Sequence, residues 1–337
     1  MTRVVMTLVV RDEVDIVETW LRYHLVAGVD LVIATDHASS DGTSDVLGAW
    51  ERNGRVVLLR EGGEQFRQAE WVTRMSRLAA TEHGADWVIP SDADEFWWPR
   101  LGGFAEVLDA VPSRFGVVRG LQRHFVLVPG EEPFAERMTL RTRPTSDLTS
   151  PYHAQVKIAH RAARDVVVSV GNHDADGTGL QPLREWFPFE VLHFPIRGGE
   201  QLEAKFLRRR TSPDGQHIVR ALDLLSCDRG DELLAEVSVT ELDAQERLES
   251  GALIRDHRLR DALRALERGE PLLVPPPTLA DDAELASDAD VALAHDSAVL
   301  AERRCGALEH RVAVLAEGGL GARVARRFRQ RRQGALS

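Results

Sequence analysis

Residues 86 to 99 read Asp86-Trp87-Val88-Ile89-Pro90-Ser91-Asp92-Ala93-Asp94-Glu95-Phe96-Trp97-Trp98-Pro99. The run from Trp87 to Ile89 is short and apolar, the pattern of a buried strand. Three acids follow within four residues, and aromatics and a proline come after them. Carboxylates crowded at a strand end repel one another, and a divalent cation taking oxygen ligands relieves that repulsion. A solvated acidic turn closing the strand is the competing reading. The stretch alone does not choose between them.

Working upstream, residues 4–10 are rich in Val, which suits a buried strand. Arg11-Asp12-Glu13 then opens a helix, with acids where the helix dipole favours them. Val14, Val17 and Leu21 form its apolar stripe, and Ala27-Gly28 stops it. Residues 29–34 form a second strand running into Thr35-Asp36-His37-Ala38-Ser39-Ser40-Asp41-Gly42-Thr43. A helix with Val46, Leu47 and Trp50, a strand over 55–59 and a helix through Trp71, Met75, Leu78 and Ala79 complete the approach to Trp87. This alternation predicts an α/β domain with a parallel sheet. In such sheets ligands gather at the carboxyl ends of the strands. Arg11-Asp12-Glu13, Thr35-Asp36 and Asp92-Ala93-Asp94 therefore open on one rim.

Downstream the alternation decays. A helix is expected over 102–111, a strand over 116–119, and a long loop or hairpin over 129–151. Strands over 155–160 and 166–170 suggest a mixed or antiparallel addition. Residues 171–177 are a turn dense in ligand-type side chains, and 189–195 an apolar strand interrupted by His193. Helical segments are expected over 200–268. The division into domains is then 1–270, with halves 1–100 and 101–270, a proline-rich linker over 271–283 containing Pro275-Pro276-Pro277, and a helical extension over 284–337. The extension ends in a basic tract over 323–332, readable as a lipid-surface helix or a disordered charged terminus.

The 337 residues carry a net charge of −11, which argues against a nucleic-acid partner. Cys227 and Cys305 are the only cysteines and lie far apart, too few for a disulfide framework or a zinc site. A cytoplasmic protein is the expectation, with the basic tract a possible contact to the inner face of the membrane. No run approaches the length of a membrane span.

The run through Arg11-Asp12-Glu13 and Asp36-His37-Ala38-Ser39-Ser40-Asp41-Gly42-Thr43, followed by Ser91-Asp92-Ala93-Asp94-Glu95-Phe96, resembles glycosyltransferase family 2. The likeness is to the branch with Asp-x-Asp-Glu-Phe and a downstream His-Phe-Pro segment, here His193-Phe194-Pro195. The clear likeness covers about the first third of the chain. It implies the GT-A fold, a mostly parallel central sheet with a mixed second half, and inverting sugar transfer. The donor would be UDP-, GDP- or dTDP-linked, and the acceptor a glycan or lipid-linked molecule. The resemblance assigns Arg11, Glu13 and Asp36 to the nucleotide and Asp92 to the diphosphate and its ion. Asp92 and Asp94 would ligate Mn²⁺ or Mg²⁺, for which oxygen ligands are suited. The family pattern has a second Asp and a Gly where this chain has His37 and Ala38.

His193 and His173 compete as a late metal ligand, and His193 is preferred on the His-Phe-Pro match. Arg197 and Lys205 face either phosphate or solvent. An inverting transfer needs a carboxylate base; Asp174, Asp176 and Glu190 are the candidates, and Asp174 is the choice. Trp97, Trp98 and Trp186 could stack on a sugar, although burial is the commoner use of tryptophan. Two rival functions remain at this level: a metal-dependent phosphohydrolase or phosphotransferase on the same acidic rim, and a non-catalytic nucleotide-sugar-binding protein.

Overall fold

The computed structural model describes residues 2–63, 65–145, 154–199, 201–202, 238–272, 277 and 281–297. Lys205, Cys227, Cys305 and the basic tract over 323–332 lie outside the described residues.

Four strands form the parallel half: β1 (Val4–Val10), β2 (Leu31–His37), β3 (Val56–Glu61) and β4 (Trp87–Asp92), in the order β3-β2-β1-β4. Helices α1 (Val17–Val26), α2 (Thr43–Arg52) and α3 (Gln68–Thr81) make the crossovers. Every residue of β1 is buried. Val4, Met6, Leu8 and Val10 pack with Val17, Trp20 and Leu21 of α1 on one face, while Val5 and Val9 meet Trp71, Val72 and Met75 of α3 on the other. A strand covered on both faces reads as a continuous apolar run, which is why the pattern was visible in the sequence.

The register aligns the rim. Val10 sits opposite Asp36, and Val9 opposite Asp92. Here one expectation needs correcting, because Arg11-Asp12-Glu13 does not begin a helix. Asp12 is left-handed at φ 52°, and α1 begins at Val17. The segment is a loop fastened to the one after β2. Asp12 N donates to Ser39 Oγ, Glu13 N to Thr43 Oγ1 and Val14 N to Asp41 Oδ2, while Asp12 Oδ1 accepts from Ser40 N.

The acidic turn reverses the chain into β5 (Glu95–Pro99), followed by α4 (Phe104–Asp109) and β6 (Val117–His124). Further on come α5 (Phe134–Arg137), β7 (Leu140–Thr142), β8 (Val156–Arg161), the short pair β9 (Val167–Val168) and β10 (Ala175–Asp176), and β11 (Phe189–His193). The eight-stranded sheet continues β4-β8-β6-β11-β5, with β8 antiparallel to β4 and β6, β11 parallel to β6, and β5 antiparallel to β11. The α/β class, mostly parallel first half and mixed second half are thus as expected.

Pro90 lies inside β4, where it gives up a backbone donor. The β4–β8 pairing ends at Val88, so no ladder bond is demanded of it on that side. Beyond Val88 the two strands part, and side chains fill the gap between them.

The chain closes with α6 (Glu241–Glu249), β12 (Leu253–Arg255), α7 (Arg258–Glu267) and a helix α8 over 281–297. The molecule divides into compact units 1–292 and 293–337. The first half of α8 therefore belongs with the sheet: Leu285, Ala289 and Ala292 pack with Leu121, Val156 and Phe187. The boundary between these two units follows Ala292. No helix among the described residues is long and apolar enough to cross a membrane.

Candidate active site

The turn between β4 and β5 puts three acids at the rim. Asp94, Glu95 and His193 each offer a ligand atom, and these atoms lie within 4.8 Å of one another. His193 arrives because β11 pairs with β5 in a register that sets it opposite Glu95. Its Nε2 lies 3.6 Å from Asp94 Oδ2. The other ring nitrogen, Nδ1, is 3.0 Å from Nδ1 of His124, which stands opposite His193 on β6. Only one of the two facing nitrogens can carry the shared proton. If His193 donates it, its Nε2 keeps a lone pair on the Asp94 side, the tautomer a metal ligand needs. Two carboxylates and an imidazole suit Mn²⁺ or Mg²⁺, so the residues present fit the expected ion.

Asp92 stands beside this group and is heavily engaged. Its Oδ1 accepts from Gln68 Nε2 at 2.8 Å and Asn172 Nδ2 at 3.4 Å, and its Oδ2 from Lys157 Nζ at 3.1 Å. Glu95 Oε1 accepts from Lys157 at 2.7 Å and from Gln122 Nε2 at 2.9 Å. Burial pushes the Glu95 carboxyl up to about 8; Lys157 opposes that shift, and Asp92 and Asp94 add to it. Burial would lower the Lys157 ammonium, but the carboxylates of Glu95 and Asp92 more than reverse this and hold it above its ordinary value.

Asp36 is buried at the end of β2, and its Oδ1 accepts from both N and Oγ of Ser39. The neighbouring His37 points to the other face, where its Nε2 meets Gly63 O and its ring packs against Trp71 and Phe66. Ala38 is left-handed at φ 52°. Among the described residues it is held at positive φ together with Asp12 and Asn172, the other two non-glycine residues there. Strained backbone of this kind clusters at functional sites.

The other candidates are placed as follows. Arg11 is half-buried next to Asp12. Glu13 faces Arg197: the buried guanidinium donates to Glu13, to both oxygens of Asp15 and to Phe194 O. These carboxylates hold the Arg197 guanidinium above its ordinary pKa despite burial. Arg197 and Glu13 thus bind each other across the two halves of the chain. His173 turns its Nδ1 to Val156 O, 2.7 Å away, and is not in the Asp94 group. Asp174 is exposed, two residues from the Asn172 that touches Asp92. Trp97 and Trp98 are buried in the core, whereas Trp186 is partly exposed.

Glu190 is away from the cluster, since strand alternation sends it to the opposite face from His193. There it binds Arg123 at 2.5 Å and Arg258 at 2.5 Å. Burial would raise its pKa, but Arg258 and Arg123 hold it far below the carboxylate range. A carboxylate clamped this way is a poor proton acceptor, so Glu190 is a structural anion rather than a base.

The sequence points to Asp92 and Asp94 as the acidic ligands and gives no role to Glu95, whereas the structure groups Glu95 with Asp94 and His193. Lys157, Gln68, Asn172, Gln122 and His124 were missed as well. The alternation of Gln122 with His124 on one strand face was the one signal available.

No family model matches the chain, and no curated protein matches its sequence. Among solved structures, S. aureus TarS 1–349 in complex with UDP is similar at 13% identity and a TM-score of 0.33, covering 63% of this chain and 67% of that one. Glucosyl-3-phosphoglycerate synthase from Mycobacterium tuberculosis, in complex with Mn²⁺, UDP and glucosyl-3-phosphoglycerate, is similar at 16% identity and a TM-score of 0.26, covering 36% of this chain and 44% of that one.

Proposed function

We propose that the chain is a metal-dependent, inverting glycosyltransferase that moves a sugar from a nucleotide-diphosphate donor to a glycan or lipid-linked acceptor. The observation carrying this reading is the Asp94–Glu95–His193 group at the end of β4, on the same rim as Asp36. In this reading Asp36 accepts a hydrogen bond from the base or ribose, its position set by Ser39. A bound Mn²⁺ or Mg²⁺ would neutralise the diphosphate as it leaves. Asp94, Glu95 and His193 would hold that ion, and Arg197 keeps Glu13 and Asp15 in place beside it. Asp174 takes the proton of the attacking hydroxyl, and a single displacement inverts the anomeric carbon.

The test is calorimetry and turnover with UDP-, GDP- and dTDP-sugars, with Mn²⁺ and with a chelator. One donor is expected to bind and turn over only with metal, giving product of inverted anomeric configuration by NMR. Asp94→Asn should lower turnover by roughly a hundredfold or more, in line with the loss of a key electrostatic group. Chelator-indifferent binding without turnover would sink the proposal.

A further inference from the structure

We infer that Lys157 is an internal counter-ion that weakens and thereby sets the affinity of the candidate metal centre, competing with a divalent ion for Glu95. This rests on the reading of Asp94, Glu95 and His193 as that centre. Lys157 projects from β8 into the gap left where β4 and β8 part after Val88. Its side chain is 5% exposed. An ammonium has three N–H groups, and here they meet Asp92 Oδ2 at 3.1 Å, Glu95 Oε1 at 2.7 Å and Gly171 O at 2.8 Å. The cation is thus buried, fully bonded and fixed.

Glu95 is the shared element. Its Oε1 is taken by Lys157 and Gln122, and its Oε2 accepts from Asp92 N at 3.3 Å. It also belongs to the group able to hold a metal. An ion entering there meets a positive charge already bonded to one of its ligands. Buried charges are screened little by salt, so this repulsion acts at nearly full strength. The lysine also keeps Asp92 on its own side, which leaves the ion to Asp94, Glu95 and His193.

Mn²⁺ titration by calorimetry, on wild type, Lys157→Met, Lys157→Gln and Lys157→Arg, tests this without any donor. The uncharged variants should bind Mn²⁺ at least about tenfold more tightly than wild type, because the repulsion is gone. Lys157→Arg should remain within a few-fold, since it keeps the charge. Lys157→Gln preserves a polar partner for Gly171 and serves where Lys157→Met fails to fold. A purely structural lysine predicts the reverse: removing it loosens the ligands, and affinity stays level or falls. That result in a folded, uncharged variant overturns the inference while leaving the metal centre standing. Binding in none of the proteins overturns the metal centre, and the lysine's role with it.

Discussion

His24 is fully buried between α1 and β5 with both ring nitrogens committed. Nδ1–H donates to Trp20 O at 2.9 Å, and Nε2 accepts from Trp97 N at 3.1 Å. A second proton would face a backbone N–H, so the ring is neutral, and burial lowers its pKa to about 3. His160, buried behind Ser76, is lowered to about 4 for the same reason. Unfolding returns both to the ordinary histidine range, so between those values the unfolded chain binds more protons. Their contribution to stability is therefore complete above about pH 6.5 and is lost as pH falls toward the folded values. Each should cost about 1.4 kcal/mol per pH unit within that window. Denaturation between pH 5 and 6 should show His24→Gln with nearly one proton less uptake than wild type. Equal slopes in the two proteins would contradict the assignment.

At the scale of the element, the same histidine belongs to a device that closes the sheet. β5 is an edge strand, and an open edge invites pairing with another chain. Helix α1 fills the vacancy with side chains. Trp20 Nε1 donates to Glu95 O at 2.7 Å and Tyr23 OH to Trp97 O at 3.1 Å, while His24 receives Trp97 N. The backbone of Trp97 is thus held on both its polar groups, as a neighbouring strand would hold it. This also ties the acidic turn to α1, because Glu95 is one of the residues gripped. Tyr23→Phe leaves a buried carbonyl without that donor and should lower unfolding stability in urea by ~1–2 kcal/mol. A loss below the error of the titration would show that the edge is held by packing alone.

Across the whole molecule, ion clusters join segments remote in sequence. On the face of the sheet opposite His193, Arg123 of β6 binds Glu190 and Asp288, Arg141 of β7 binds Asp256 and Glu284, and Arg258 bridges Glu190 to Asp256. These pairs hold the first part of α8 and the start of α7 to the sheet. Because they are buried, removing one partner strands a charge, and the loss should be larger than for surface pairs. Arg123→Leu is expected to destabilise by ~3–5 kcal/mol, and adding Asp288→Leu should cost less than the sum of the two singles. Additive losses in denaturant melts would mean the two residues do not share one network.

The sequence by itself determined the parallel half and the acidic rim. Strands such as β1, buried on both faces, are apolar at all positions but Thr7, Asp36 and Asp92 lie at the ends of such strands, and Asp94 follows one. Asp94 was legible for that reason. β6 was only half legible, over 116–119, because Arg119, Gln122, Arg123 and His124 look solvent-exposed until their partners are known. Those partners lie far along the chain, Glu190 and Asp288 for Arg123, Glu95 for Gln122 and His193 for His124. The tertiary structure alone decided which acids share a site. It brought Glu95 beside Asp94 and His193, turned Glu190 to the opposite face, and placed Lys157 against Asp92. The physical reason is that local hydrophobic period records burial, whereas a buried charge is fixed by the charge it meets, and only folding brings the two together.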